Sequence, residues 1–213
     1  MKHLIIVGAR GWGREVYNVA IATCEYKNGN YDIKGFLDSK TDAFEGLRGE
    51  YPPIICAPED YDIQEDDVFV IALGDGKWRS IYANLIEKKG GQFISIIADN
   101  ALINPTAKIG EGCVITRYTS ISDNVTIGNH VIVHGFCTIG HDAVIDDYAS
   151  ILSYVFLGGY AQLGEYSTMN PKSMIIPHKI VGKNVVVGAA SVVIKNVKDG
   201  LHVLGNPAKK IDY

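Results

Sequence analysis

The sequence predicts an α/β N-terminal domain of Rossmann-like type followed by an all-β parallel β-helix. Two observations carry this. Residues 1–97 alternate short apolar strands with amphipathic helical segments, the order that builds a parallel sheet covered by helices. From there an aliphatic side chain returns every six residues without a break, at Ile97, Ile103, Ile109 and onward to Val181, Val187 and Val193. Chance filling of one register over that many slots has odds on the order of 10⁻⁹, so the beat is a repeat and not composition. The expected domains are 1–97 and 98–213.

In the first domain LIIVG (4–8) reads as a buried strand and GWGREVYNVAIATC (11–24) as a helix after glycine punctuation. IKGFLD (33–38), VFVIAL (68–73) and QFISII (92–97) are further strands, and KWRSIYANLIEKK (77–89) is a second helix. The acidic stretch 39–66 is expected to hold loops with a short element near Pro52–Ile55.

In the second domain the residue two before each aliphatic slot is small, as at Ala107, Cys113, Thr119, Ala143 and Ser167, with Lys179 the large exception. Large and small side chains both pointing inward, with polar residues and Gly at corners, is the pattern of a β-helix with three six-residue sides per coil. Residues 18 apart then stack at the strand spacing of about 4.8 Å. Ile132, Val144, Leu152, Tyr154 and Phe156 fall on outer faces, which predicts an oligomer. Tyr148, Tyr154, Tyr160 and Tyr166 recur every six at a corner, as an aromatic or trimer contact or as a wall of a ligand cleft.

Composition narrows the function. With 47% hydrophobic residues the chain has ample core, and a net charge of −4 argues against a nucleic-acid partner. No secretion-like leader and no apolar run of about 18 residues is present, so neither export nor a membrane span is expected. Cys24, Cys56, Cys113 and Cys137 lack CxxC spacing, and the last two take small-residue slots. They read as buried thiols in a reducing cytoplasm.

Two groups of residues carry chemistry. His141 and Asp142 share one corner: a neutral imidazole there can accept a proton from an attacking amine or hydroxyl, and a carboxylate can orient it. Gly159 lies 18 residues on, so its amide stacks one coil from His141 and can face a thioester carbonyl oxygen. His134 lies a full side away, about 15 Å at strand rise. A zinc site from His130, His134 and His141 would need convergence between chains, so no metal is expected. At the N-terminus GARGWG (8–13) follows a strand and opens a helix, a turn suited to phosphate, although its spacing is not the dinucleotide G-x-G-x-x-G. Asp38, Gly74, Asp75, Lys77 and Arg79 cluster at later strand ends, where α/β ligands bind.

GARGWGREV, FLD, IALG, the hexad array, TIGHDAVIDD and the ending GNPAKKI together resemble the bacterial sugar acyltransferases. These include the sialic-acid O-acetyltransferase type and the UDP-4-amino-sugar N-acetyltransferases of the bacillosamine pathway. The resemblance implies a left-handed β-helix and a homotrimer with its active site at the subunit interface. It also implies acetyl-CoA as donor and a nucleotide-sugar acceptor. Carried over by position, His141 is the general base, Asp142 its carboxylate and Gly159 the acetyl-facing amide. Ser150, Pro171 and Ala189 fall on coenzyme A contacts. Arg10, Gly11, Trp12, Asp38, Ser39 and Gly74 fall on the nucleotide-sugar side. This chain departs from those relatives at Trp12, His134 and Ser150, and segment 169–180 lacks their glycines. The expected reaction is acetylation of the amino group of a nucleotide-linked amino sugar. The alternatives are O-acetylation of sialic acid or another hydroxyl acceptor, and a non-catalytic trimeric scaffold.

Overall fold

A computed structural model describes residues 1–211; residues 212–213 of the second predicted domain lie outside the described residues. The chain divides into two compact units, Met1–Asp99 and Asn100–Tyr213.

The first unit runs β1 (Lys2–Val7), α1 (Gly11–Ala20), α2 (Cys24–Lys27), β2 (Tyr31–Leu37), β3 (Ile54–Cys56), β4 (Asp67–Ile71), α3 (Gly76–Lys88) and β5 (Gln92–Phe93). The strands form one parallel sheet in the order β3-β2-β1-β4-β5. Leu4, Ile5, Ile6, Phe69 and Val70 in its middle strands are at most 1% exposed, as expected of strands covered on both faces. The order reverses between β1 and β4, which opens a crevice at the carboxyl ends of the strands.

Two elements differ from expectation. The helix expected over 11–24 stops at Ala20, because Thr23 turns the chain. Its hydroxyl donates to the Ala20 carbonyl at 2.7 Å and accepts the Tyr26 amide at 3.3 Å, capping α2. The strand expected over 92–97 splits into Gln92–Phe93, which pairs with β4, and Ile96–Ile97.

The second unit is a three-sided parallel β-helix. Partners along each face are 18 residues apart: Thr138 pairs with Ser120 and Phe156, Val144 with Thr126 and Gln162, and Ser150 with Ile132 and Thr168. We call these the first, second and third faces. The third continues into His202–Leu204, which pairs antiparallel with Lys209–Lys210. The aliphatic beat lines the interior: Ile139, Ile145, Ile151 and Leu157 are at most 1% exposed, with Ala143, Ala149 and Ala161 filling the remaining space.

Polar atoms at the small slots are satisfied inside. The Sγ of Cys113 and Cys137 donate to the Gly128 and Leu152 carbonyls at 3.1 and 3.0 Å. Ser167 and Thr119 hydroxyls do the same to Gly182 and His134 at 2.6 and 3.1 Å. The thiols are therefore interior donors, and burial pushes the Cys137 thiol up to about 11.

The corners have a conformation that the sequence does not announce. From Tyr118 to Ala190 every sixth residue is a non-glycine with φ between 53° and 63°. That left-handed conformation costs roughly 1–2 kcal/mol per residue. It turns the chain while keeping the N–H along the stacking axis: the amides of Tyr148, Tyr160 and His178 donate to the carbonyls of Asn129, His141 and Gly159, at 2.9 to 3.0 Å. Aromatic rings at these positions stack between coils. His130, Tyr148 and Tyr166 form one column, with centroids 5.2 and 5.3 Å apart. Tyr118, Phe136 and Tyr154 form another at 5.0 and 4.9 Å. Each stacked pair contributes about 0.5–1.5 kcal/mol, enough to offset much of the backbone cost.

The four tyrosines spaced by six therefore fall on three corners, Tyr148 and Tyr166 sharing one, and form no single wall. Ile132, expected on an open outer face, is 1% exposed, because the third face is covered at Val114, Ile132 and Ser150 alike.

Candidate active site

The corner between the first and second faces holds the His141–Asp142 pair. Asp142 is one of the left-handed residues, and this points its carboxylate back at its neighbour. His141 Nδ1 lies 2.8 Å from Asp142 Oδ2. The other oxygen, Oδ1, accepts a 2.7 Å hydrogen bond from Asn124 Nδ2, one coil earlier. The bond from Asn124, then that from His141, holds the Asp142 carboxyl below its usual range. Asp142 is thus anionic at neutral pH and accepts from Nδ1–H, which leaves Nε2 as the basic nitrogen. The His141 side chain is 59% exposed, so Nε2 is open to a substrate.

Gly159 sits over that ring. A Cβ built on it would lie 2.8 Å from His141 Nε2, so any side chain there displaces the imidazole. The corner also leaves amides free. At the next corner the Asn129 amide is capped by the Asp147 side chain, one coil on, at 2.7 Å. Here the residues one coil after His141 and Gly159 are Gly159 and Pro177, neither of which can cap an amide with its side chain. The amides of His141 and Gly159 make no hydrogen bond among the described residues. The structure thus brings together a carboxylate-held imidazole and an unsatisfied N–H.

The other expected residues divide. Pro171 and Ala189 stack on the corner between the third and first faces, where the Ala190 amide donates to the Pro171 carbonyl at 3.0 Å. Both are exposed. Ser150 is set apart from them, 2% exposed on the covered third face.

In the first unit, a cleft of about 170 Å³ opens at the carboxyl ends of β1, β2 and β4. Its lining brings Arg10, Asp38 and Ser39 together with Gly8, Leu73 and Tyr82; Gly11, Trp12 and Gly74 are not part of that lining. The turn is tight, because a Cβ on Gly13 would lie 1.9 Å from the Gly8 carbonyl oxygen. Asp38 is 9% exposed, and its oxygens accept the Ala9 and Lys40 amides at 2.9 Å. It therefore shapes the turn as well as bordering the cleft. Arg79 is corrected outright: it is fully buried and clamps the Leu73 and Gly74 carbonyls at 2.9 Å. A larger cavity of about 450 Å³ lies at the opposite, amino-terminal strand ends, lined by Lys2, Tyr31 and Asp66 among others. It holds none of the expected residues. Asn124 was missed from sequence, although counting 18 residues back from Asp142 finds it; counting 18 forward finds Tyr160, already placed at a corner as a possible cleft wall.

The family profile described as the PglD N-terminal domain matches residues 3–86, and that described as the GMPPB C-terminal domain matches residues 97–197. The acetyltransferase domain of PglB from Neisseria gonorrhoeae FA1090 has a TM-score of 0.87 at 27% identity, covering 99% of this chain and 100% of that one. Over nearly its whole length the chain is similar to sugar acyltransferases built on hexapeptide repeats. The same PglB domain in complex with acetyl coenzyme A gives a TM-score of 0.89. UDP-N-acetylbacillosamine N-acetyltransferase of Bacillus subtilis (strain 168) is 30% identical over 116 residues, 54% of this chain. The match spans about half of that relative, 51% of its length. Perosamine N-acetyltransferase from Caulobacter crescentus shares the fold, with a TM-score of 0.71 at 19% identity over 100% of this chain and 98% of that one.

Proposed function

We propose that the protein transfers an acetyl group from acetyl-CoA to the amino group of a nucleotide-linked amino sugar. The observation that carries this is the corner formed by His141, Asp142 and Gly159. The bacillosamine and PglB relatives support the donor and acceptor classes.

In this reading Asp142 holds Nδ1–H, and His141 Nε2 takes the proton of the acceptor amine as it attacks. The donor supplies the activated acyl carbon. The free Gly159 N–H faces the carbonyl oxygen, where negative charge develops. His141 then returns its proton to the departing thiolate. Attack is direct: no Ser or Cys adjoins His141 in sequence, and the Cys137 thiol is buried and pushed up to about 11. Pro171 and Ala189 would meet coenzyme A across a subunit boundary in a homotrimer. The cleft beside Arg10, Asp38 and Ser39 would take the nucleotide, with Gly11, Trp12 and Gly74 around it.

The test is acetyl-CoA turnover against a panel of UDP-, GDP-, dTDP- and CMP-linked sugars with and without an amino group. The expected product is an amide on one amino sugar. An ester product would instead show O-acetylation, and failure to bind coenzyme A would show a scaffold.

A further inference from the structure

The imidazole of His141 is held on a side that neither Asp142 nor Gly159 accounts for. Tyr160 lies one coil above Asp142, and its amide donates to the His141 carbonyl at 2.9 Å. Its ring stands perpendicular to the His141 ring, at 89° with centroids 5.3 Å apart. That edge-to-face arrangement is favoured by the aromatic quadrupole. Tyr160 is itself fixed from above: the His178 ring stacks on it at 4.8 Å and 8°. The left-handed backbone at Asp142, Tyr160 and His178 sets all three along one column.

An imidazole tethered only through Nδ1 can still swing about that bond. A perpendicular ring beside it, backed by a second ring, removes that freedom.

We propose that Tyr160, buttressed by His178, is a positioning residue that fixes the plane of the His141 imidazole, so that Nε2 faces the acceptor. Tyr160 acts through its ring and through His141, without touching the reacting atoms. The inference rests on the acetyl-transfer reading. The ring makes the contact with the imidazole, while the phenolic hydroxyl donates to the Asp142 carboxyl and helps to hold it low. A misplaced base at this scale costs about ten- to a hundred-fold in turnover.

The experiment is steady-state kinetics of the full chain, using the acceptor that the panel identifies. Tyr160→Ala is expected to lower kcat by about ten- to a hundred-fold while KM for acetyl-CoA stays within about twofold. Tyr160→Phe, which keeps the ring and loses the hydroxyl's bond to Asp142, should lose less than Tyr160→Ala; an equal loss would move the role from the ring to the hydroxyl and overturn the inference. In a His141→Ala background Tyr160→Ala should cause no further loss, because the two act as one unit. His178→Ala, which removes only the buttress, gives a smaller drop and serves if Tyr160→Ala does not fold. Wild-type kcat in Tyr160→Ala, or losses that add to those of His141→Ala, would overturn the inference. If His141→Ala itself keeps full turnover, the acetyl-transfer reading fails; an inactive His141→Ala beside an active Tyr160→Ala sinks only the role of Tyr160.

Discussion

At Gly159 the site depends on a single missing methyl group. The backbone there is not left-handed, so alanine carries no conformational strain; the obstacle is the His141 ring, 2.8 Å from where Cβ would stand. The added methyl forces the exposed His141 ring out of the seat set by Asp142 and Tyr160, toward solvent. Gly159→Ala should therefore keep the melting temperature and lower turnover by about 10²-fold; scanning calorimetry beside kinetics checks both halves. Asp142 gives a pH prediction. Its carboxyl is held below its ordinary range, chiefly by the hydrogen bond from Asn124. A group depressed in this way is ionised above its unfolded value, and its contribution is lost only as pH falls through the lowered folded value. Across roughly pH 5–9 the pH–rate profile should therefore show no break from Asp142. Asp142→Asn, which keeps the shape but loses the charge, should lower kcat by about 10²-fold or more across that whole range.

At the scale of the element, the corner is the unit that matters. Thirteen successive corners place a non-glycine residue at φ near 60°, and stacked rings or side-chain hydrogen bonds compensate at many of them. Ala190 has neither a ring nor a polar side chain to offer, at φ 56°. Ala190→Gly should raise stability by about 1 kcal/mol, read as a shift in the urea midpoint at constant slope. The sequence announced the coils, because an aliphatic residue every six has few solutions. It announced the His141–Gly159 stack as well, by steps of 18. It did not announce the left-handed corners, since Tyr, Lys and Ala carry no such preference. Nor did it show which strand-end charges are buried. Arg79 looks like an anion ligand in the string KWRS, but tertiary packing turned it onto the Leu73 and Gly74 carbonyls. The burial of Ser150 was hidden in the same way, because burial of an outer face depends on what covers it.

For the whole molecule, the two units carry separable tasks: a strand-end cleft with Arg10 in one, and a free amide beside a polarised imidazole in the other. Arg10→Ala should raise KM for the nucleotide sugar by about tenfold and leave KM for acetyl-CoA unchanged, since a cation at the phosphate side contributes uniform binding. The central claim is that His141 is the base for acetyl transfer. Its most direct test is single-turnover acetylation of the amino sugar by wild type and His141→Ala at equal enzyme occupancy. The account predicts a rate about 10²–10⁴-fold lower in the variant with coenzyme binding preserved. An unchanged chemical rate in His141→Ala would contradict it.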